Sequence, residues 1–155
     1  FFGAIAAVIM SSASMAQEVC TAKGISRLIN IDLDNLSHRK HDAVFARAMG
    51  GADVDIYSEG SKVKAITARF KSEAGIADMN FYLQNNNDYL MEYHIIQNSD
   101  FFGELDSVVL TDEKSYYHVC NNELLAPAFG GIIDDDIYQN LELVFNVLMT
   151  EIGEK

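Results

Sequence analysis

Apolar residues recur at two periods in this chain, and the change of period divides it into helical and sheet-forming parts. Ile25, Leu28, Ile29, Leu33 and Leu36 fall at helical spacing, although Ile29, Ile31 and Leu33 also alternate as in a strand. This spacing predicts a helix. The polar run His38-Arg39-Lys40-His41-Asp42 follows, and Gly50-Gly51 stops a second helical stretch over 43–49. The sheet is expected to begin there, with strands at 52–57, 62–71, 76–84, 89–97 and 115–120, each rich in β-branched, aromatic or alternating apolar residues. In the third strand Ala77, Met79, Phe81 and Leu83 share one face, while Asp78, Asn80 and Tyr82 share the other.

Ser58-Glu59-Gly60-Ser61, Ser72-Glu73-Ala74-Gly75 and Asn85-Asn86-Asn87-Asp88 join these strands. Gly and Asn accept the positive φ that tight hairpins demand, so the strands should form an antiparallel meander. The 98–114 connection, containing Phe101-Phe102-Gly103, is compatible with a flap, an extra edge strand or a short helix. After Pro127 and Gly130-Gly131, Asp134-Asp135-Asp136 should cap a last helix whose stripe is Ile137, Leu141, Val144, Phe145, Leu148 and Ile152. The expected class is α+β: a meander of about five strands with an N-terminal and a C-terminal helix packed on one face.

The N-terminal segment changes the picture of where this domain works. Residues 1–16 carry no charge, are apolar as far as Met10 and end in Ser11-Ser12-Ala13-Ser14-Met15-Ala16. An apolar core of ten residues is too short to span a bilayer, and Ser14 with Ala16 suits signal peptidase. The expectation is a signal peptide over 1–16, truncated at its start, and a single α+β domain over 17–155, periplasmic or secreted, with no membrane insertion after cleavage. Cleavage leaves 139 residues, the size of one domain. Cys20 and Cys120 are the two cysteines, and in an oxidising compartment they should pair with each other. Gln17-Glu18-Val19 lacks the small residues that precede a lipid-modified cysteine, and the histidines have no close zinc-ligand spacing to the cysteines.

Charge is unevenly spread. Residues 1–71 hold nine Lys/Arg against seven Asp/Glu, whereas residues 72–155 hold two against sixteen. An acidic half repels polyanions and anionic lipid, which excludes nucleic acid as a favoured partner and leaves basic proteins, cationic ligands and divalent ions. Excess carboxylate also keeps an exported protein soluble.

Three hairpins place an aromatic residue before a polar turn and an aliphatic residue after it: Tyr57 with Val63, Tyr82 with Leu90, and Tyr117 with Leu124. Over roughly 52–125 this resembles the tyrosine-turn-leucine hairpins of uncharacterised secreted bacterial β-meander proteins, including variants of the MORN repeat. Asn stands in the second and third turns where Gly is usual, and the spacing varies between copies. The resemblance implies a β-meander and life outside the cytoplasm, and carries over no catalytic residue.

Candidate chemistry is sparse. Asp32-Leu33-Asp34-Asn35 begins like a calcium loop, but the sixth and twelfth positions are Ser37 and Ala43 in place of Gly and Glu. Capping accounts for Asp134 to Asp136. Glu92 and His94 share a strand face and can in principle move a proton, with Tyr93 facing away and Tyr116-Tyr117-His118 on a neighbouring strand. Nucleophile-elbow, zinc-protease, phosphate-loop and dinucleotide motifs do not occur. No catalytic residue, metal or cofactor is therefore assigned. The leading expectation is a non-enzymatic extracytoplasmic binding or interaction module with Tyr82, Glu92, Tyr93, His94, Tyr117 and His118 as its face. The alternatives are an acidic inhibitor of a basic secreted hydrolase such as lysozyme, and a small-molecule-binding protein or enzyme with a pocket between sheet and helices.

Overall fold

The computed structural model describes residues 20–48, 50–72, 75–98, 109–125 and 133–153. The expected signal peptide, Phe101-Phe102-Gly103 and Pro127 with Gly130-Gly131 lie outside the described residues. Among those described, no helix is long and apolar enough to cross a membrane.

Seven strands lie side by side in chain order and every neighbouring pair is antiparallel. They are β1 (Ser37–His41), β2 (Ala52–Glu59), β3 (Lys62–Ser72), β4 (Gly75–Leu83), β5 (Tyr89–Asn98), β6 (Val109–Cys120) and β7 (Glu123–Leu124). Helix α1 (Ala22–Ile29) precedes them, the short α2 (Val44–Ala48) links β1 to β2, and α3 (Asp135–Glu151) follows. The fold is α+β, as expected, with two more strands than the five expected. The missing two are edge strands. In β1 all but His41 are exposed, so no apolar alternation marks it, and the backbone ladder to β2 places it. β7 is two residues long and is set by Asn121 and Asn122, both at positive φ (52° and 62°), the conformation of a two-residue hairpin turn. The start of β6 from Val109 was likewise hidden, because its first two residues are exposed.

The hairpin between β3 and β4 depends on Gly75. Its φ is +151°, and a Cβ there would lie 2.0 Å from the carbonyl oxygen of Ile96 on β5. Only the missing side chain lets β5 approach.

The first helix is shorter than its apolar period suggested. The Thr21 hydroxyl accepts from the Gly24 N–H and opens it; Asn30 closes it, its side chain donating to the Ser26 carbonyl at 2.7 Å. Leu33–Asn35 is a separate 3₁₀ turn capped by the Asp32 carboxylate. That spends the acid at the head of the would-be calcium loop on local capping.

The two helices lie on opposite faces of the sheet, which corrects the expectation of one shared face. α3 covers one side: Leu141, Val144, Phe145, Leu148 and Met149 are buried against Ile66, Phe81, Leu83, Tyr89, Met91, Tyr117 and Val119. Phe145 sits between Tyr89 (ring centroids 4.1 Å apart, stacked) and Phe81 (5.3 Å, tilted). Asp134 caps this helix by accepting the N–H groups of Asp136 and Ile137, each at 3.1 Å. The helix crosses the sheet from Tyr138 beside Tyr117 on β6 to Glu151 beside His41 on β1. Five strand spacings amount to about 24 Å; the helix from Tyr138 to Glu151 rises about 20 Å, and the side chains at its two ends make up the difference. On the other side α1 docks through Leu28 and Ile29 onto Leu90, Tyr82 and Tyr116. The cause is a second apolar cluster on the face assumed to be wet. Cys120 shares that face with Tyr116 and His118, so a tether from Cys20 draws α1 there.

Candidate functional site

Among the described residues, α1 covers its face at one end of the strands, and beyond the helix that face becomes polar row by row. Register places these rows. Nearest the helix run His38, Tyr57, Ala65, Tyr82, Leu90 and His118, one from each of β1 to β6. The next row is Lys40, Asp55, Thr67, Asn80, Glu92 and Tyr116; the third is Asp53, Arg69, Asp78, His94 and Lys114. Because a strand turns alternate side chains to one face, five in-register strand pairs are enough to assemble this surface from residues up to 80 positions apart.

Hydrogen bonds tie the rows together. Arg69 donates Nε and Nη2 to the two carboxylate oxygens of Asp78, at 2.7 and 2.8 Å. This bidentate contact raises the guanidinium pKa, and it orients a carboxylate whose side chain is 10% exposed. His94 lies against two acids, with Nε2 2.6 Å from Asp112 Oδ1 and Nδ1 3.9 Å from Asp78 Oδ2. Asn80 Nδ2 donates to Glu92 Oε1 at 2.9 Å. Burial, with Glu92 close by, pushes the Tyr116 phenol up to about 12, and burial likewise raises Tyr82. Toward β1, Lys71 Nζ donates to Asp53 Oδ2 at 3.0 Å, which lowers the Asp53 pKa. His38 Nε2 reaches Asp55 Oδ1 at 2.7 Å while its ring stacks on Tyr57.

A cleft of about 410 Å³ opens over this surface between β1 and β4. Its lining includes the cations Lys40, Arg69 and Lys71 and the anions Asp53, Asp55 and Asp78, with Leu33 from the 3₁₀ turn on one side. The charges balance within one recess. The arrangement can bind and orient a small polar molecule.

The expected binding face is divided between two sides of the sheet. Tyr82, Glu92, His94 and His118 lie on the α1 side, whereas Tyr93 and Tyr117 lie on the α3 side. Tyr117 is 3% exposed within the core, and Tyr93 packs partly buried against it. Glu92 and His118 are buried rather than wet. Glu92 and His94 do share a face but bond elsewhere, to Asn80 and Asp112. Cys20 and Cys120 stand at disulfide distance, with Cα atoms 5.9 Å apart. Sequence reasoning missed Lys40, Asp53, Asp55, Thr67 and Arg69. For the last four the signal was the alternation Asp53-Val54-Asp55 and Thr67-Ala68-Arg69, which pairs across a turn already recognised; Lys40, on the exposed β1, left none.

Comparison with known proteins returns no matching family model, no matching curated protein and no matching solved structure.

Proposed function

We propose that this is a non-enzymatic, extracytoplasmic binding module whose ligand seats on the polar sheet face, and that the ligand is a small zwitterion such as an amino acid or short peptide. The single observation that carries this reading is the cleft over β1 to β4, with three cations and three anions lining one recess. Opposite charges in one recess suit a molecule bearing both an ammonium and a carboxylate, and they offer little to a polymer of one sign. The volume is within the range of small-molecule sites. The charge-free N-terminal segment and the Cys20–Cys120 proximity support export.

Thermal-shift and calorimetric titration with free amino acids and dipeptides tests it. The expected result is saturable stabilisation by at least one of them, lost in Lys40→Ala and Asp55→Ala. No response to any zwitterion would overturn it.

A second reading, an acidic inhibitor of a basic hydrolase such as lysozyme, is supported by the exposure of Asp112, Glu113, Glu123 and Asp134 to Asp136. Pull-down with lysozyme at low and high salt separates the two. Salt-sensitive capture favours inhibition, and its absence ends that reading.

A further inference from the structure

At the other end of the same sheet face, outside the cleft, two sulfurs and a carboxylate converge. Cys20 Sγ, Cys120 Sγ and a carboxylate oxygen of Asp88 lie within 4.8 Å of one another. We propose that this cluster becomes a binding site for a thiophilic divalent cation of the zinc class when the Cys20–Cys120 bond is reduced, with His118 as the fourth donor.

The donor set has the composition of a closed zinc site: two thiolates, a carboxylate and an imidazole. Donors 2.0–2.3 Å from a tetrahedral ion stand about 3.3–3.8 Å apart, so the two sulfurs and Asp88 need only the small opening that breaking the bond allows, while His118 stands outside their 4.8 Å group and joins by turning its ring toward them. Asp88 is buried and held from behind. Its Oδ1 accepts the Asn121 N–H at 2.7 Å and its Oδ2 accepts from Asn85 Nδ2 at 2.8 Å. Each oxygen keeps a further lone pair, and such outer contacts are what orient a metal ligand. His118 lies two residues before Cys120 on the same strand face and is 0% exposed. Among the described residues, neither of its ring nitrogens has a hydrogen-bond partner. A fully buried imidazole with both nitrogens idle is costly, and a coordinating role would account for it.

The chemistry balances with a dithiol reductant. The reductant gives two electrons and two protons to the S–S bond and becomes a disulfide; Cys20 and Cys120 become thiols, and the incoming ion displaces their two protons. The ion then holds α1 to β6 where the bond did. One tether is exchanged for another.

The test uses the chain reduced with a phosphine, desalted without oxygen and titrated with Co²⁺, then Zn²⁺. The expected result is one Co²⁺ per chain with thiolate charge-transfer and tetrahedral d–d absorption, displaced by Zn²⁺ and absent from the oxidised protein. Asp88→Asn and His118→Gln should each weaken binding by about tenfold or more. A reduced protein that keeps its circular-dichroism spectrum yet shows no such band overturns the proposal, as does equal binding by the oxidised form or by both variants. If the reduced chain unfolds, recovery of the spectrum on adding Zn²⁺ supports the site, and failure to recover overturns it.

Discussion

Glu151, at the end of the last helix, lies 2.9 Å from His41 on the first strand, Oε2 to Nε2, joining residues 110 positions apart. The same carboxylate accepts the N–H groups of Val44 and Phe45 and so caps α2. One side chain thereby fastens three elements at the β1 edge. Burial opposes ionisation of Glu151, but the hydrogen bonds from His41, Phe45 and Val44 outweigh it and hold its pKa below the ordinary value. A carboxyl lowered on folding contributes stability above its unfolded pKa of about 4.3, and loses it as pH falls through the lower folded value. Glu151→Ala should cost about 1 kcal/mol at neutral pH, a fall of about 2–4 °C in Tm. The gap between the two Tm curves should close below about pH 4. A gap independent of pH would mean that the carboxylate's charge contributes nothing.

Phe145 is the residue on which α3 turns into a lid for the sheet, because its ring touches both Tyr89 and Phe81. Phe145→Ala removes a buried ring from between two others and should cost about 3–5 kcal/mol in urea unfolding. Leu143, on the same helix but 62% exposed, is the internal control. Leu143→Ala should change stability by less than about 0.5 kcal/mol. Equal effects would show that the helix does not pack by this stripe.

Those two residues mark what the chain made plain. Phe145 and its stripe have one period and one apolar side, so α3 and the face it covers were readable, as were the four central strands that alternate beneath it. β1 was not, because its exposed residues have nothing apolar to alternate with. The position of α1 was obscured by a different cause. Tyr82, Leu90 and Tyr116 are neighbours only once three strands are in register, so the second apolar cluster has no one-dimensional trace. The cleft was half visible: Asp78 and Asn80 showed as a polar face, but Arg69, the partner of Asp78, is assigned by the β3–β4 register alone.

That register gives Arg69 a measurable role. Its guanidinium is the bidentate partner of a nearly buried Asp78, so Arg69→Met leaves a carboxylate with poor hydration and no donor of equal strength. Full burial would make this cost about 3–5 kcal/mol. The Arg69 side chain is half exposed, and water screens the pair, so the expected loss is about 1–2 kcal/mol. Arg69→Lys keeps the charge but loses the planar fork, and should fall between wild type and Arg69→Met. If lysine equals arginine in chemical denaturation, the contact is a matter of charge alone. If neither substitution is felt, the surface is not held together by this pair.

The Cys20–Cys120 proximity encloses a span of 100 residues and connects the start of α1 to the end of β6. Constraint of the unfolded chain by so long a loop is worth up to about 4.7 kcal/mol, and the double variant Cys20→Ser, Cys120→Ser should lose a large part of it. The loss should be uneven across the molecule. α1 rests on a small cluster around Leu28 and Leu90, whereas α3 rests on the main core, so freeing the tether exposes the α1 side first. Hydrogen exchange in the double variant should therefore quicken in 22–29 and around Leu90 while amides of α3 and β4 stay protected at low denaturant. Uniform acceleration across both faces would instead show that the two sides unfold as one unit, with the tether acting on the whole sheet.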